Sequence, residues 1–440
     1  MAYWTAADEL RLAAVRVSGP AAPCGGRPLL KLKAPQGNSQ FREGRTMTDC
    51  RLQAVRAGHV FDGRTVLGAG MVLIQEGRIL DVDATGAAPP TEAELVDLGP
   101  DTWLLPGLID THVHLAFDAS SDVVARLVAA DDSTLLARMR DAAARALRAG
   151  ITTVRDLGDR GYLSLALRQE IADGVRPGPH IVAAGPPITT PGGHCHFLGG
   201  EAAGVEAVRA AVRERHERGC SVVKVMASGG MLTAGSAAHL PQYGFAELRA
   251  AVEEAHQLGL PAAAHVHPGA SVVDALAAGF DSLEHATFLS ETGVDADLLA
   301  LRSVAERGVF VGTTVGSLPG ARPVSASALA CADGVRAVRA RLHRAGARMV
   351  AGSDAGTAPD KPHDVLPYGI AALVELGMTP VQALGAATVE AAAACGLGHR
   401  KGRIARGMDA DLLAVAGELV PDLSALHEVR AVFREGRRVR

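Results

Sequence analysis

The chain has 440 residues, 48% of them hydrophobic, and a formal net charge of −4. That length suits a barrel of about 250 residues with a smaller companion, and the absence of a basic surplus argues against nucleic acid or a membrane surface as partner, leaving a small-molecule substrate. The six cysteines (Cys24, Cys50, Cys195, Cys220, Cys331 and Cys395) form no CxxC pair. No apolar run reaches the roughly 18 residues of a spanning helix, and the N-terminus lacks the residue order of a signal peptide, so a soluble cytoplasmic protein with reduced thiols is expected. Association into homo-oligomers stays open.

Residues 1–46 have no sustained periodicity and are rich in Pro, Gly and basic residues over 19–45; they read as a disordered N-terminal extension, with a native start expected at or near Met47. Within 47–103, alternating runs at 52–60, 71–74 and 78–82 stand between Gly and Asp turn signals and read as antiparallel strands. Over 104–395 the pattern changes to short apolar strands alternating with Ala-, Leu-, Arg- and Glu-rich helices, as in parallel βαβ units. The candidate strands are 103–109, 152–156, 181–184, 222–226, 262–265, 282–285, 309–313 and 349–353. Eight of them suggest a (β/α)8 TIM barrel, with a doubly wound open sheet as the competing α/β architecture. Alternating runs return at 410–415 and 429–437, so 396–440 is expected to complete a small β-sandwich with 47–103.

Three His-x-His pairs occur, His112/His114, His194/His196 and His265/His267. Chance would supply roughly 0.6 from 16 histidines in 440 residues. The first pair ends an apolar strand, where residues two apart share a face and both imidazoles could reach one metal. Lys224 sits in Val222-Val-Lys-Val-Met, a strand that should be buried on both faces. A lone lysine of this kind more often snorkels or pairs with a carboxylate, but a buried amine can also react with CO2 to give a carbamate with two metal-binding oxygens. His265, His285 and Asp354 stand at or just beyond the ends of three later strands. Each alone is more often a satisfied polar residue than a ligand. Together they place imidazoles and carboxylates at the C-terminal ends of strands one, four, five, six and eight, the face where barrel enzymes hold their sites. Cys195, for all its two histidine neighbours, has no spatial argument for catalysis, and Arg155 in Thr152-Thr-Val-Arg-Asp reads as an internal ion-pair element.

Asp110-Thr-His-Val-His, Lys224 in Val-Lys-Val-Met-Ala-Ser-Gly-Gly, His265, His285 and Gly352-Ser-Asp together resemble the pattern of the metal-dependent amidohydrolase superfamily. The resemblance runs from about Leu52 to Arg440 and includes the closing Gly402-Arg-Ile-Ala-Arg-Gly-Met-Asp-Ala-Asp. Pro191-Gly-Gly-His-Cys-His, Gly199-Gly-Glu and Gln242-Tyr-Gly-Phe are similar to the branch of prolidase-like (Xaa-Pro and Xaa-Arg/Lys) dipeptidases and imidazolonepropionase, and Lys224 favours the dipeptidase side. The resemblance implies two divalent metal ions, zinc favoured. His112, His114 and Asp354 would hold one, His265 and His285 the other, and carbamylated Lys224 would bridge them. A metal-bridging hydroxide would then cleave the amide bond of a dipeptide or N-acyl amino acid, with Asp354 as proton carrier. Tyr243 and His194 would bind substrate, while His196, His239 and His267 remain pocket residues without an assigned role. A cyclic amide, lactone or phosphotriester as substrate, and a non-catalytic metal-binding barrel, remain alternatives.

Overall fold

The alternating segments at the two ends of the chain pair with each other in the computed structural model, which describes residues 51–320 and 326–440. The expected extension over 1–46 lies outside them, as does Cys50. Strands Gln53–Phe61, Val66–Gln75, Arg78–Asp83, Glu94–Asp97 and Thr102–Pro106 join Leu412–Ala416, Val429–Arg434 and Arg437–Arg438 in one eight-stranded sheet. Thr102–Pro106 is the seam: Trp103 stands opposite His59 in a parallel pairing and opposite Val415 in an antiparallel one. Because side chains alternate along a strand, the sheet divides its apolar residues between two cores. Val55, Val72, Ile74, Leu104, Leu412 and Phe433 form a separate cluster, whereas Phe61, Trp103, Leu105, Leu413, Val415 and Val432 face the main core.

Eight parallel strands follow, numbered here in chain order: β1 (Leu108–Val113), β2 (Ile151–Asp156), β3 (His180–Ala183), β4 (Val223–Met226), β5 (Ala262–Val266), β6 (Ser282–His285), β7 (Phe310–Gly312) and β8 (Arg348–Val350). They make a three-stranded sheet, β1-β2-β3, and a five-stranded sheet, β4-β5-β6-β7-β8. Parallel bridges join the two at both margins, Ile188 with Val225 and Val113 with Ala355. Every residue of β1, β2, β4, β5 and β6 is buried, as expected of parallel strands covered on both faces, and explains their reading as nearly continuous apolar runs.

Helices connect the strands. Asp132–Arg148, between β1 and β2, begins where Asp131 accepts a 2.7 Å hydrogen bond from the Thr134 amide, and it buries Leu135, Met139, Ala142, Ala143 and Ala146 at helical spacing. Helix Val389–Ala394 contributes Ala391 and Ala392 to a small apolar cluster with Ile109, Val182 and Ala263, one residue from each of β1, β3 and β5. No described helix is long and apolar enough to cross a membrane.

One predicted strand divides into two elements. The run 103–109 reads as a single strand, yet Thr102–Pro106 belongs to the terminal sheet and β1 begins only at Leu108. Gly107 is the break, and it lies so close to Thr152 that a Cβ there would stand 2.2 Å from Thr152 Oγ1. Hydropathy cannot register this boundary, because both elements are fully buried.

Candidate metal centre

The C-terminal ends of the parallel strands gather two trios of side chains that could hold a metal ion: His112, His114 and Asp354, and His265, His267 and His285. Within each trio the ligand atoms lie within 4.8 Å of one another. Asp354 Oδ1 stands 3.5 Å from His112 Nε2 and 3.4 Å from His114 Nε2, while the rings of His112 and His285, one from each trio, are 5.1 Å apart. The backbone holds the first trio in register: the Asp354 amide donates to the His112 carbonyl at 2.8 Å and the His114 amide to the Ala355 carbonyl at 3.0 Å. Gly352 permits this approach, since a Cβ there would stand 2.8 Å from His112 Cβ.

One member of each trio occupies left-handed backbone, His285 at φ +71° and Asp354 at φ +58°. Such a conformation costs a non-glycine residue energy, and it clusters where function requires a particular side-chain direction. At His285 the consequence is visible. Adjacent residues of a strand normally face opposite ways, yet Glu284 and His285 both turn inward, Glu284 Oε2 lying 2.9 Å from His112 Nδ1 while the His285 ring packs on the His112 ring.

Glu284 in turn receives Arg155, whose guanidinium donates to Glu284 Oε1 at 2.7 Å, to the Thr111 carbonyl at 2.6 Å and to Ser282 Oγ at 3.2 Å. This is the internal ion pair expected of Arg155. Burial alone would raise the Glu284 carboxyl, but Arg155 and His112 together hold it well below the ordinary range. The carboxylate then fixes the proton of His112 on Nδ1 and leaves Nε2 facing Asp354. Asp110, from the same motif as the first histidine pair, accepts hydrogen bonds from the amide and hydroxyl of Ser353 at 2.9 and 2.5 Å, tying β1 to the segment after β8.

Lys224 is 1% exposed and its Nζ has no hydrogen-bond partner. Its charge acts on His112 in one trio and on His265, His267 and His285 in the other. Burial lowers its ammonium to about 8, despite the opposing pull of Glu284 and Asp354. A buried amine without a partner, whose charge acts on two groups that could hold cations, suits an added group that carries acceptor oxygens. The donor chemistry therefore fits a pair of divalent ions.

The remaining sequence candidates are distributed around this centre. The His194 ring lies 4.7 Å from that of His265, with its Nδ1 buried and unpartnered. Tyr243 is buried and its hydroxyl donates to the Ala202 carbonyl at 2.6 Å. His239 lines a separate cavity of about 620 Å³ with Pro268, Phe288 and Glu291. His267, given no role by sequence reasoning, belongs to the second trio, and its Nδ1 lies 2.7 Å from Thr287 Oγ1. The signal that could have found it is the spacing of His265-Val-His267, the same as in the first pair. Glu284 was missed altogether, because strand alternation places it opposite His285. Cys195 is buried and its thiol is pushed up to about 12, so it offers no thiolate at neutral pH. Cys195, Cys220, Cys331 and Cys395 are all free.

Residues 103–439 match the Amidohydrolase family. The chain belongs to the amidohydrolase family. Ochratoxinase of Aspergillus niger is 30% identical over 366 residues, covering 75% of this chain and 73% of that enzyme. Imidazolonepropionase of Pseudomonas entomophila is 26% identical over 84% of this chain and 94% of its own length. The crystal structure of a Xaa-Pro dipeptidase with methionine bound in its active site superposes with a TM-score of 0.78 at 28% identity, over 88% of this amidohydrolase and 99% of that chain. The amidohydrolase is thus an α/β enzyme built on parallel sheets, a hydrolase of carbon–nitrogen bonds whose structural neighbours include prolidase-like dipeptidases.

Proposed function

We propose that this amidohydrolase cleaves the amide bond of a dipeptide or N-acyl amino acid at a pair of divalent cations, zinc favoured by the imidazole-rich ligand set. The observation that carries the reading is the buried, unpartnered Nζ of Lys224, whose charge acts on both ligand trios. Two further expectations accompany it. The bridges at both margins of the parallel sheets support a closed (β/α)8 barrel, and the separate apolar cluster of the terminal sheet supports a β-sandwich formed from both chain ends. The likeness to a Xaa-Pro dipeptidase supports an amide whose nitrogen belongs to an amino acid.

In this reading His112, His114 and Asp354 hold one ion and His265 and His285 the other, with His267 beside them and Lys224, carbamylated by CO2, between. The ions, when bound, supply Lewis-acid polarisation of the substrate carbonyl and acidification of a water. The protein's own groups supply the rest. Glu284 and Arg155 hold the His112 ring in one tautomer. Burial would raise the Asp354 carboxyl, but the hydrogen bond and charge of His114, with His112 and Lys361, keep it ionised, so its free oxygen can take a proton from the attacking water and return it to the leaving nitrogen. His194, whose ring lies 4.7 Å from that of His265, would contact the scissile group. Tyr243 would engage the substrate by exchanging its hydrogen bond to Ala202.

The test is metal analysis of protein loaded with zinc and bicarbonate, followed by assay against a panel of dipeptides and N-acyl amino acids. Two zinc ions per chain and release of a free amino acid are expected. Two ions with no turnover of any amide would overturn the hydrolytic reading in favour of a metal-binding barrel.

A further inference from the structure

Arg339 lies on the helix Ala326–Arg344, which follows β7, and its position is electrostatically unusual. One terminal nitrogen donates to Thr314 Oγ1 at 3.2 Å, and the same hydroxyl lies 3.1 Å from His285 Nδ1, so the guanidinium is two hydrogen bonds from a residue of the second trio. Its Nε is buried with no partner. Among the described residues no carboxylate pairs with it, whereas Arg336, on the same helix, pairs with Asp333 at 3.3 Å. A second cation stands at Thr314: Lys361 Nζ donates to the carbonyls of Thr314, Gly316 and Ser353 at 3.3, 3.1 and 2.8 Å. Burial lowers its ammonium, and the charges of Asp354 and Asp360 oppose the further lowering by Arg339.

A guanidinium presents five N–H donors in a planar fork, and removing it from water without an anion is costly. Burial here is strong enough to lower even this arginine to about 10, with no opposing carboxylate. The fork matches a carboxylate or phosphate group held through two parallel hydrogen bonds, and of these the substrates of an amide hydrolase acting on amino-acid derivatives carry the carboxylate. Arg155, in the same molecule, shows how a buried arginine is otherwise satisfied: it has Glu284, Ser282 and a carbonyl.

We propose that Arg339 anchors the free carboxylate of the substrate's amino-acid portion beside the second trio. This rests on the amide-hydrolase reading above and narrows it. The substrates are dipeptides and N-acyl amino acids with an unblocked C-terminal carboxylate, and not their primary amides, their esters or longer peptides extended past that residue. Tyr243 is then left for another part of the substrate.

Titration calorimetry on the zinc-loaded full chain tests it, with the N-acetyl derivatives of L-methionine, L-phenylalanine, L-arginine and L-proline as probes, each as free acid and as primary carboxamide. The wild type is expected to bind the best acid at least about tenfold more tightly than its carboxamide, the worth of a charge-assisted hydrogen bond. Arg339→Met should abolish that preference by weakening the acid while zinc content and carboxamide binding stay as they were. Arg339→Lys, which keeps the charge without the fork, should restore part of it. Equal affinity for acids and carboxamides in the wild type, no binding of any of the acids, or an unchanged preference in Arg339→Met would each overturn the anchor. Turnover of an amide without a carboxylate preference would remove the anchor alone. A carboxylate preference without any turnover would remove the hydrolytic reading and leave the anchor in place.

Discussion

Glu284 shows how much of the centre depends on residues that bind nothing themselves. It accepts from His112 Nδ1 through one oxygen and from Arg155 through the other, and it is fully buried. Glu284→Gln keeps the shape but has one oxygen for two donors and no charge. Zinc affinity, read by competition with a chelator, is expected to fall about 10–100-fold, the usual cost of losing an outer partner of a ligating histidine. An unchanged affinity would show that the His112 tautomer is set elsewhere. Lys224→Ala removes the proposed bridge: zinc content should drop below two per chain and turnover fall by about 10²–10³-fold, the scale of losing one preorganised electrostatic group. Millimolar propionate, able to occupy the vacated space with a carboxylate, should restore part of both. Full zinc content and activity in Lys224→Ala would mean that the lysine is only a packing residue.

At the scale of elements, the parallel strands were largely legible because strands buried on both faces read as apolar runs bounded by polar turns. Strand β6, Ser282–His285, coincides with its sequence range, and β5 extends one residue beyond it to Val266. The boundary at Gly107 was not legible, since nothing in hydropathy separates Leu105 from Leu108. That boundary is steric, which a substitution can test. Gly107→Ala should destabilise the protein by about 1–3 kcal/mol through overpacking against Thr152. Urea denaturation measures the loss, and adding Thr152→Ala should recover part of it. A stable Gly107→Ala protein would show that the two elements can part without cost. The inward turn of both Glu284 and His285 was equally hidden, because it depends on left-handed backbone at His285.

For the whole molecule, the closing segment of the chain is fastened by charge as well as by strand pairing. Buried Lys401 contacts Asp409 at 3.0 Å and also Asp411, which receives Arg434 at 3.1 Å and whose carbonyl accepts from the Gly107 amide at 2.8 Å. Burial would raise the Asp411 carboxyl, but Arg434 and Lys401 lower it to about 2. A carboxyl depressed on folding stabilises the protein fully above its ordinary range near 4, and the contribution is lost as pH falls from there through about 2. The shift corresponds to about 2 kcal/mol. The stability difference between wild type and Asp411→Asn, from urea titrations between pH 5 and pH 2, should therefore shrink by about that amount toward the acid end. A difference independent of pH would mean that the carboxylate is no better stabilised folded than unfolded.

The sequence by itself determined the α/β alternation, the likeness of the alternating segments at the two ends and a set of residues able to carry chemistry. Periodicity is local, and a histidine pair or a lysine in an apolar strand is conspicuous wherever the chain carries it. Only the tertiary structure decided which of these residues meet. His267 joins His265 and His285, Glu284 takes His112, and Arg339 stands beside Thr314 without a counter-charge. These are contacts between residues as much as 172 positions apart, fixed by strand register and by left-handed turns at the strand ends, and neither is encoded in any short stretch of residues.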